Sequence, residues 1–179
     1  MDAKVTIAQF DVFLEKQGLF FEAVIIGGAA LALLGVITRQ TRDCDILDPL
    51  LPIEIESAAK EFAISIRQSG EMLHDNWLNH EPASLSKLLP DGWQNHLQLV
   101  YKGNALILHT LGRKDLLRTK LFALCDRGTD LVDCIALKPS LDEIEEVISW
   151  VQEQDANPDW PQHVVSVCAD LGARLGYGL

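Results

Sequence analysis

Asp43 and Asp45 stand two residues apart in the segment DCDILD, and on an extended chain that spacing puts both carboxylates on one side. Two like charges held so close repel each other unless a cation lies between them. Mg²⁺ is commonly held by one or two protein carboxylates together with phosphate oxygens and water, so the pair is a candidate metal site of the kind that handles a nucleoside triphosphate. Taken alone, Asp-x-Asp is as much at home on a solvated strand edge. Its neighbour in the sequence narrows the reading. Gly27 and Gly28 follow the apolar run AVII and precede Ala29 to Leu34, a string of strong helix formers. A strand, a tight glycine turn and a helix are expected there, and side-chain-free backbone at such a turn lets phosphate oxygens approach amide N–H groups.

The elements that position these residues follow from local patterning. Residues 5 to 17 show helical spacing and end at Gly18, which suits a helix C-terminus. In the Asp-x-Asp strand, Asp43, Asp45 and Leu47 are expected on one face, with Cys44 and Ile46 on the other. Pro52 to Ala63 reads as a helix, Phe62 to Ile66 offers a strand, and the stretch from 68 to 92 reads as loop with a short helix. HLQLVY and ALILHTL flank Lys102, Gly103 and Asn104 and predict a β-hairpin. A helix then runs from Arg113 to Arg127 and stops at Gly128, and a second occupies Asp130 to Leu137 ahead of Pro139. Ser140 and Glu143 form a capping-box pattern before the apolar stripe Leu141, Ile144, Val147, Ile148 and Val151. After NPDWP a last helix is expected over Val164 to Leu175. The fold class is α/β: a small mixed sheet flanked by helices over residues 1–112, and a helical C-terminal part over 113–179 completing the same compact unit.

The stretch VIIGGAALALLG followed by TRDCDIL resembles the signature of the polymerase-β-type nucleotidyltransferase superfamily, a glycine pair opening a helix and then an Asp-x-Asp strand. A second stretch, KLFALCDRGTDLVDC, resembles the later motif of the AbiEii-like nucleotidyltransferases, toxins of type IV toxin-antitoxin systems, with Lys120, Ala123, Arg127, Asp130 and Asp133 at its positions. The resemblance implies a nucleotidyltransferase fold and transfer of a nucleoside monophosphate from a nucleoside triphosphate to a hydroxyl of RNA, tRNA foremost, or of a protein. It implies Mg²⁺ or Mn²⁺ held by Asp43 and Asp45, with Lys120 as a further catalytic group. Gly27, Gly28, Lys120 and Arg127 would contact the nucleotide, supported by Arg113, Asp130 and Asp133. It further implies a cognate antitoxin as a partner. Many members of the wider superfamily carry a third metal-binding carboxylate on a later strand of the sheet, yet HLQLVY and ALILHTL hold no acidic residue. Asp75, Glu81, Asp91, Asp130 or Asp133 would have to supply it. The alternative is a module of the same fold that binds nucleotide or a protein partner without turnover.

Spacing adds its own argument. Arg113, Lys120 and Arg127 recur every seven residues and so lie close to one helix face, an expected cationic ridge, with Leu117 and Leu124 placing Lys120 on a partly apolar surface. Arg127 with Asp130 or Asp133 could equally be a salt-bridge knot joining two helices. The chain of 179 residues, 48% hydrophobic and 23% charged, is long enough for a full core. Its net charge of -11 argues against a surface that grips nucleic acid throughout. Charge is segregated: Arg113, Lys114, Arg118, Lys120 and Arg127 cluster, while from residue 128 onward ten acidic residues face only Lys138 and Arg174. Cys44, Cys125, Cys134 and Cys168 lack any Cys-x-x-Cys pair and read as buried thiols. His74, His80, His96 and His109 show no ligand spacing, and Trp77 reads as packing ahead of base stacking. No signal peptide or spanning segment is expected, which suits a cytoplasmic setting.

Overall fold

A computed structural model describes residues 1–177. The chain forms two compact units, Met1–Leu111 and Gly112–Leu179.

The first unit is built on a five-stranded mixed sheet. Its strands are β1 (Phe21–Ile26), β2 (Cys44–Asp48), β3 (Leu78–Asn79), β4 (Gln98–Lys102) and β5 (Leu106–Thr110), in the order β3-β2-β1-β5-β4. β1 runs antiparallel to β2 and parallel to β5, and β4 and β5 form the expected antiparallel hairpin. One face of the sheet carries Phe21, Ala23, Ile25, Cys44, Ile46, Leu106 and Leu108, all buried. Helices α1 (Ala3–Gln17) and α3 (Ile53–Gln68) contribute Phe10 and Phe62 to the same core, and these meet Trp77 with ring centroids 5.0 and 5.6 Å away. Trp77 is fully buried and its indole N–H donates to the carbonyl of Ala59 at 3.0 Å. Its work is packing and not base stacking.

Phe62 to Ile66 is helix, not strand. Ile55, Ala58, Ala59, Phe62 and Ala63 are the buried residues of α3, a 3.6-residue periodicity that an isolated apolar run cannot reveal. β2 begins at Cys44, so Asp43 sits just before the strand. A register shift between Val24 and Ile25 pairs Val24 with Asp48 and Ile25 with Ile46. Leu47 is the extra residue of this bulge, and it is buried instead of continuing a solvent-facing alternation.

Asp11, on α1, fastens the hairpin. Its buried carboxylate accepts hydrogen bonds from the amides of Ala105 and Leu106, both at 2.8 Å, from Asn104 at 3.2 Å and from the Tyr101 hydroxyl at 3.2 Å. A Cβ on Gly103 would lie 2.1 Å from an Asp11 oxygen, so the turn needs glycine there. Burial, with Asp11 beside it, pushes the Tyr101 phenol above its ordinary value.

The second unit is helical: α4 (Arg113–Arg127), α5 (Leu131–Leu137), α6 (Leu141–Gln152) and α7 (Trp160–Arg174). α4 ends at left-handed Gly128, and both halves of the Ser140–Glu143 capping box are formed. α7 starts four residues before Val164, because Pro161 falls in its first turn, where proline's missing N–H costs nothing. No described helix is long and apolar enough to cross a membrane.

Candidate nucleotide and metal site

α2 (Gly27–Leu33) follows β1 without a break. Gly27 has φ +76, a conformation that L side chains rarely adopt, and a Cβ there would stand 2.5 Å from Asp45 Oδ2. A Cβ on Gly28 would stand 3.0 Å from Thr41 Cγ2. The glycine pair is thus closed in by Asp45 on one side and Thr41 on the other. Register explains the first contact: Ile26, the last residue of β1, pairs with Asp45 on antiparallel β2. Gly27, Gly28 and Asp45 are brought together; Asp43 precedes the strand by one residue and is half-buried, as Asp45 is.

On the other side of Asp45 lies Asn79, its register partner on parallel β3. Asn79 Nδ2 donates to Asp45 Oδ1 at 3.0 Å, and Asn79 Oδ1 accepts from the Glu81 amide at 3.0 Å. The sequence gives no signal for this residue, because a two-residue strand is too short for periodicity to mark. None of the acidic candidates for a third metal ligand takes that place. Asp75 pairs with Arg67 at 2.6 Å, Glu81 follows Asn79 at the start of a 3-10 helix, and Asp91 is exposed. Asp130 and Asp133 belong to the second unit.

Three observations bear on whether a cation fits. Burial raises the Cys44 thiol pKa, and the negative charges of the flanking Asp45 and Asp43 raise it further. The Thr41 hydroxyl is buried without a hydrogen-bond partner among the described residues. No described group of three His, Cys, Asp or Glu residues could hold a metal. Two carboxylates would hold a divalent cation only with phosphate oxygens and water completing its shell.

In the second unit, Lys120 is buried with its Nζ 2.8 Å from Asp130 Oδ1 and 2.8 Å from Asp133 Oδ2. Burial acts to lower its pKa, but the hydrogen bonds to Asp130 and Asp133 raise it, and the net shift is upward. Arg127, largely exposed, reaches Asp130 Oδ2 at 3.2 Å. Arg113 grips Glu143 in a two-pronged pair, with Nη2 to Oε2 at 2.9 Å, Lys114 meets Glu146 at 2.8 Å, and Arg118 binds Asp115. The expected cationic ridge is therefore neutralised residue by residue, by carboxylates that the sequence scatters over three helices. Cys134 donates weakly to the Lys120 carbonyl, and burial followed by Asp130 pushes its thiol up to about 12.

A mixed sheet whose first strand runs into a glycine pair opening a helix, beside an antiparallel strand that carries Asp45 and is preceded by Asp43, is consistent with a nucleotidyltransferase fold. A family model described as a nucleotidyltransferase of unknown function, DUF6036, matches residues 5–157, and the chain belongs to that family. No curated protein and no solved structure matches the chain.

Proposed function

We propose that the chain transfers a nucleoside monophosphate from a nucleoside triphosphate to a hydroxyl acceptor. The observation that carries this reading is the meeting of Gly27 with Asp45, which puts side-chain-free backbone against a carboxylate at the ends of β1 and β2. Gly27 and Gly28 offer space and amides to the phosphates, while Asp43 and Asp45 hold Mg²⁺ or Mn²⁺. When bound, the cation offsets the charge on the triphosphate and lowers the pKa of the attacking hydroxyl. The acceptor oxygen bonds to the α-phosphorus as the bond to the bridging oxygen breaks; pyrophosphate departs with the electron pair, and the acceptor proton passes to water. For Lys120 and Arg127, contact with the nucleotide rests on the resemblance to AbiEii-like enzymes, with Arg113, Asp130 and Asp133 in support. The same resemblance favours RNA, tRNA foremost, or a protein as acceptor, and a toxin role beside a cognate antitoxin.

Incubation with each labelled nucleoside triphosphate, Mg²⁺ or Mn²⁺, and total RNA tests the reaction, including label recovered on the chain itself. Transfer abolished by Asp43→Asn supports it. A second reading, a nucleotide-binding or protein-interaction module without turnover, is favoured by one observation: the sheet position beside Asp45 is filled by neutral Asn79. Binding without transfer to any acceptor is its signature. The toxin role predicts growth arrest on expression, relieved by a neighbouring gene product; normal growth without that neighbour counts against it.

A further inference from the structure

A cavity of about 420 Å³ lies within the first unit, with apolar walls that include Val24 and Leu97 and a polar part made by Glu22, Asp48, Gln94, Asn95 and His109. Strand register relates it to Asp45. Along β1, Glu22, Val24 and Ile26 alternate onto one face, Val24 pairs with Asp48 and with His109, and Ile26 pairs with Asp45. The cavity therefore opens on the same sheet face as Asp45. Val24 lies two residues before Ile26, a step of roughly 7 Å along the strand.

The lining has a definite chemistry. Glu22 and Asp48 are exposed carboxylates, and the Glu22 carboxylate holds the His109 imidazole at 3.0 Å. Gln94 and Asn95 offer exposed side-chain amides that can both donate and accept. None of the lining residues is Lys or Arg. Two carboxylates without an adjacent fixed cation repel phosphate and accept hydrogen bonds from hydroxyl, amino and amide groups.

We propose that this cavity is the acceptor subsite, and that the acceptor presents hydroxyl or amino groups to it and no phosphate. This inference rests on the nucleotidyl-transfer reading. It adds the class of acceptor: the part lying against β1 is uncharged or cationic, so among the acceptors above a protein or small-molecule hydroxyl fits this cavity and an RNA backbone, favoured by the resemblance alone, does not.

Glucosamine and glucosamine 6-phosphate are matched probes, titrated separately into the isotope-labelled full chain and followed by amide NMR. Glucosamine is expected to shift the signals of Glu22, Asp48 and Asn95 and the side-chain amides of Gln94 and Asn95, with the 6-phosphate binding at least about tenfold more weakly. The double variant Glu22→Gln/Asp48→Asn is expected to shrink that gap to about threefold or less. Equal or tighter binding of the phosphorylated probe, or no shift at the cavity with either, overturns the inference. Mg²⁺ with ATP, GTP, CTP or UTP in turn is read at Gly27 and Gly28 in the same samples. A nucleotide response there without discrimination at the cavity overturns the subsite alone; discrimination without any nucleotide response overturns the nucleotidyl-transfer reading.

Discussion

Asn79 stands beside Asp45 in the parallel register of β2 and β3 and donates a 3.0 Å hydrogen bond to its Oδ1. A neutral amide thus fixes one oxygen of a carboxylate whose other oxygen faces Gly27. Replacing it with a carboxylate should change both stability and metal binding. Asn79→Asp is expected to lower the melting temperature without divalent cation, because two like charges then adjoin, and to tighten Mn²⁺ binding by about tenfold, roughly 1.4 kcal/mol. Calorimetric titration with Mn²⁺ and melting with and without the ion check this. Unchanged Mn²⁺ affinity would show that Asn79 is not near the cation.

Gly27 and Gly18 both have positive φ, but only Gly27 faces an obstacle. Gly18→Ala should cost about 1 kcal/mol from backbone strain alone. Gly27→Ala adds a contact with the Asp45 carboxylate, so it should displace that group and reduce nucleotide binding by more than tenfold, while chemical denaturation registers a loss of about 1–3 kcal/mol. Equal effects of the two substitutions on nucleotide binding would remove Gly27 from the site.

Much of this arrangement was legible in the sequence because it rests on local rules. The glycine pair, the strand and helix around it, the hairpin and the capping box are short-range patterns, and all are present. What was not legible is long-range. Asn79 acquires its place from a two-residue strand that pairs with β2. Asp11, which looks like one polar residue of an amphipathic helix, gains its role from a turn more than ninety residues away. Phe62 looked strand-like because an apolar run carries no periodicity until the helix around it is known. The cations of α4 looked available because the carboxylates that meet them, Glu143 and Glu146 among them, lie on another helix.

Asp11 provides a test of such long-range bonding. Asp11→Ala leaves the amides of Asn104, Ala105 and Leu106 without their acceptor, and should cost about 3–5 kcal/mol in denaturant unfolding. Gly103→Ala, which drives a methyl into the same carboxylate, should cost a comparable amount. A loss under about 1 kcal/mol for both would mean the hairpin does not depend on this contact.

Lys120 gives a pH signature. Its folded pKa is raised, so its contribution is full below the unfolded value near 10.4 and fades as pH climbs through the folded value. Lys120→Met removes the buried ammonium that Asp130 and Asp133 share and should cost about 3–5 kcal/mol at neutral pH. The gap between wild type and variant should hold steady from pH 7 to about 10 and narrow above it. Arg127→Ala, at a largely exposed pair, should cost less than about 1 kcal/mol. If Lys120→Met leaves stability intact but removes nucleotide binding, its tie to the two aspartates is not what the fold needs.

On the proposed reading, nucleotidyl transfer depends on the carboxylates of Asp43 and Asp45. Its most direct measurement is the recovery of label from each α-labelled nucleoside triphosphate, with Mg²⁺ or Mn²⁺, on RNA, protein or small acceptors, for the wild-type chain and for Asp43→Asn and Asp45→Asn variants that keep the wild-type melting temperature. Label transferred by the wild type and lost in both variants is the expected result; transfer that survives both substitutions would contradict the account.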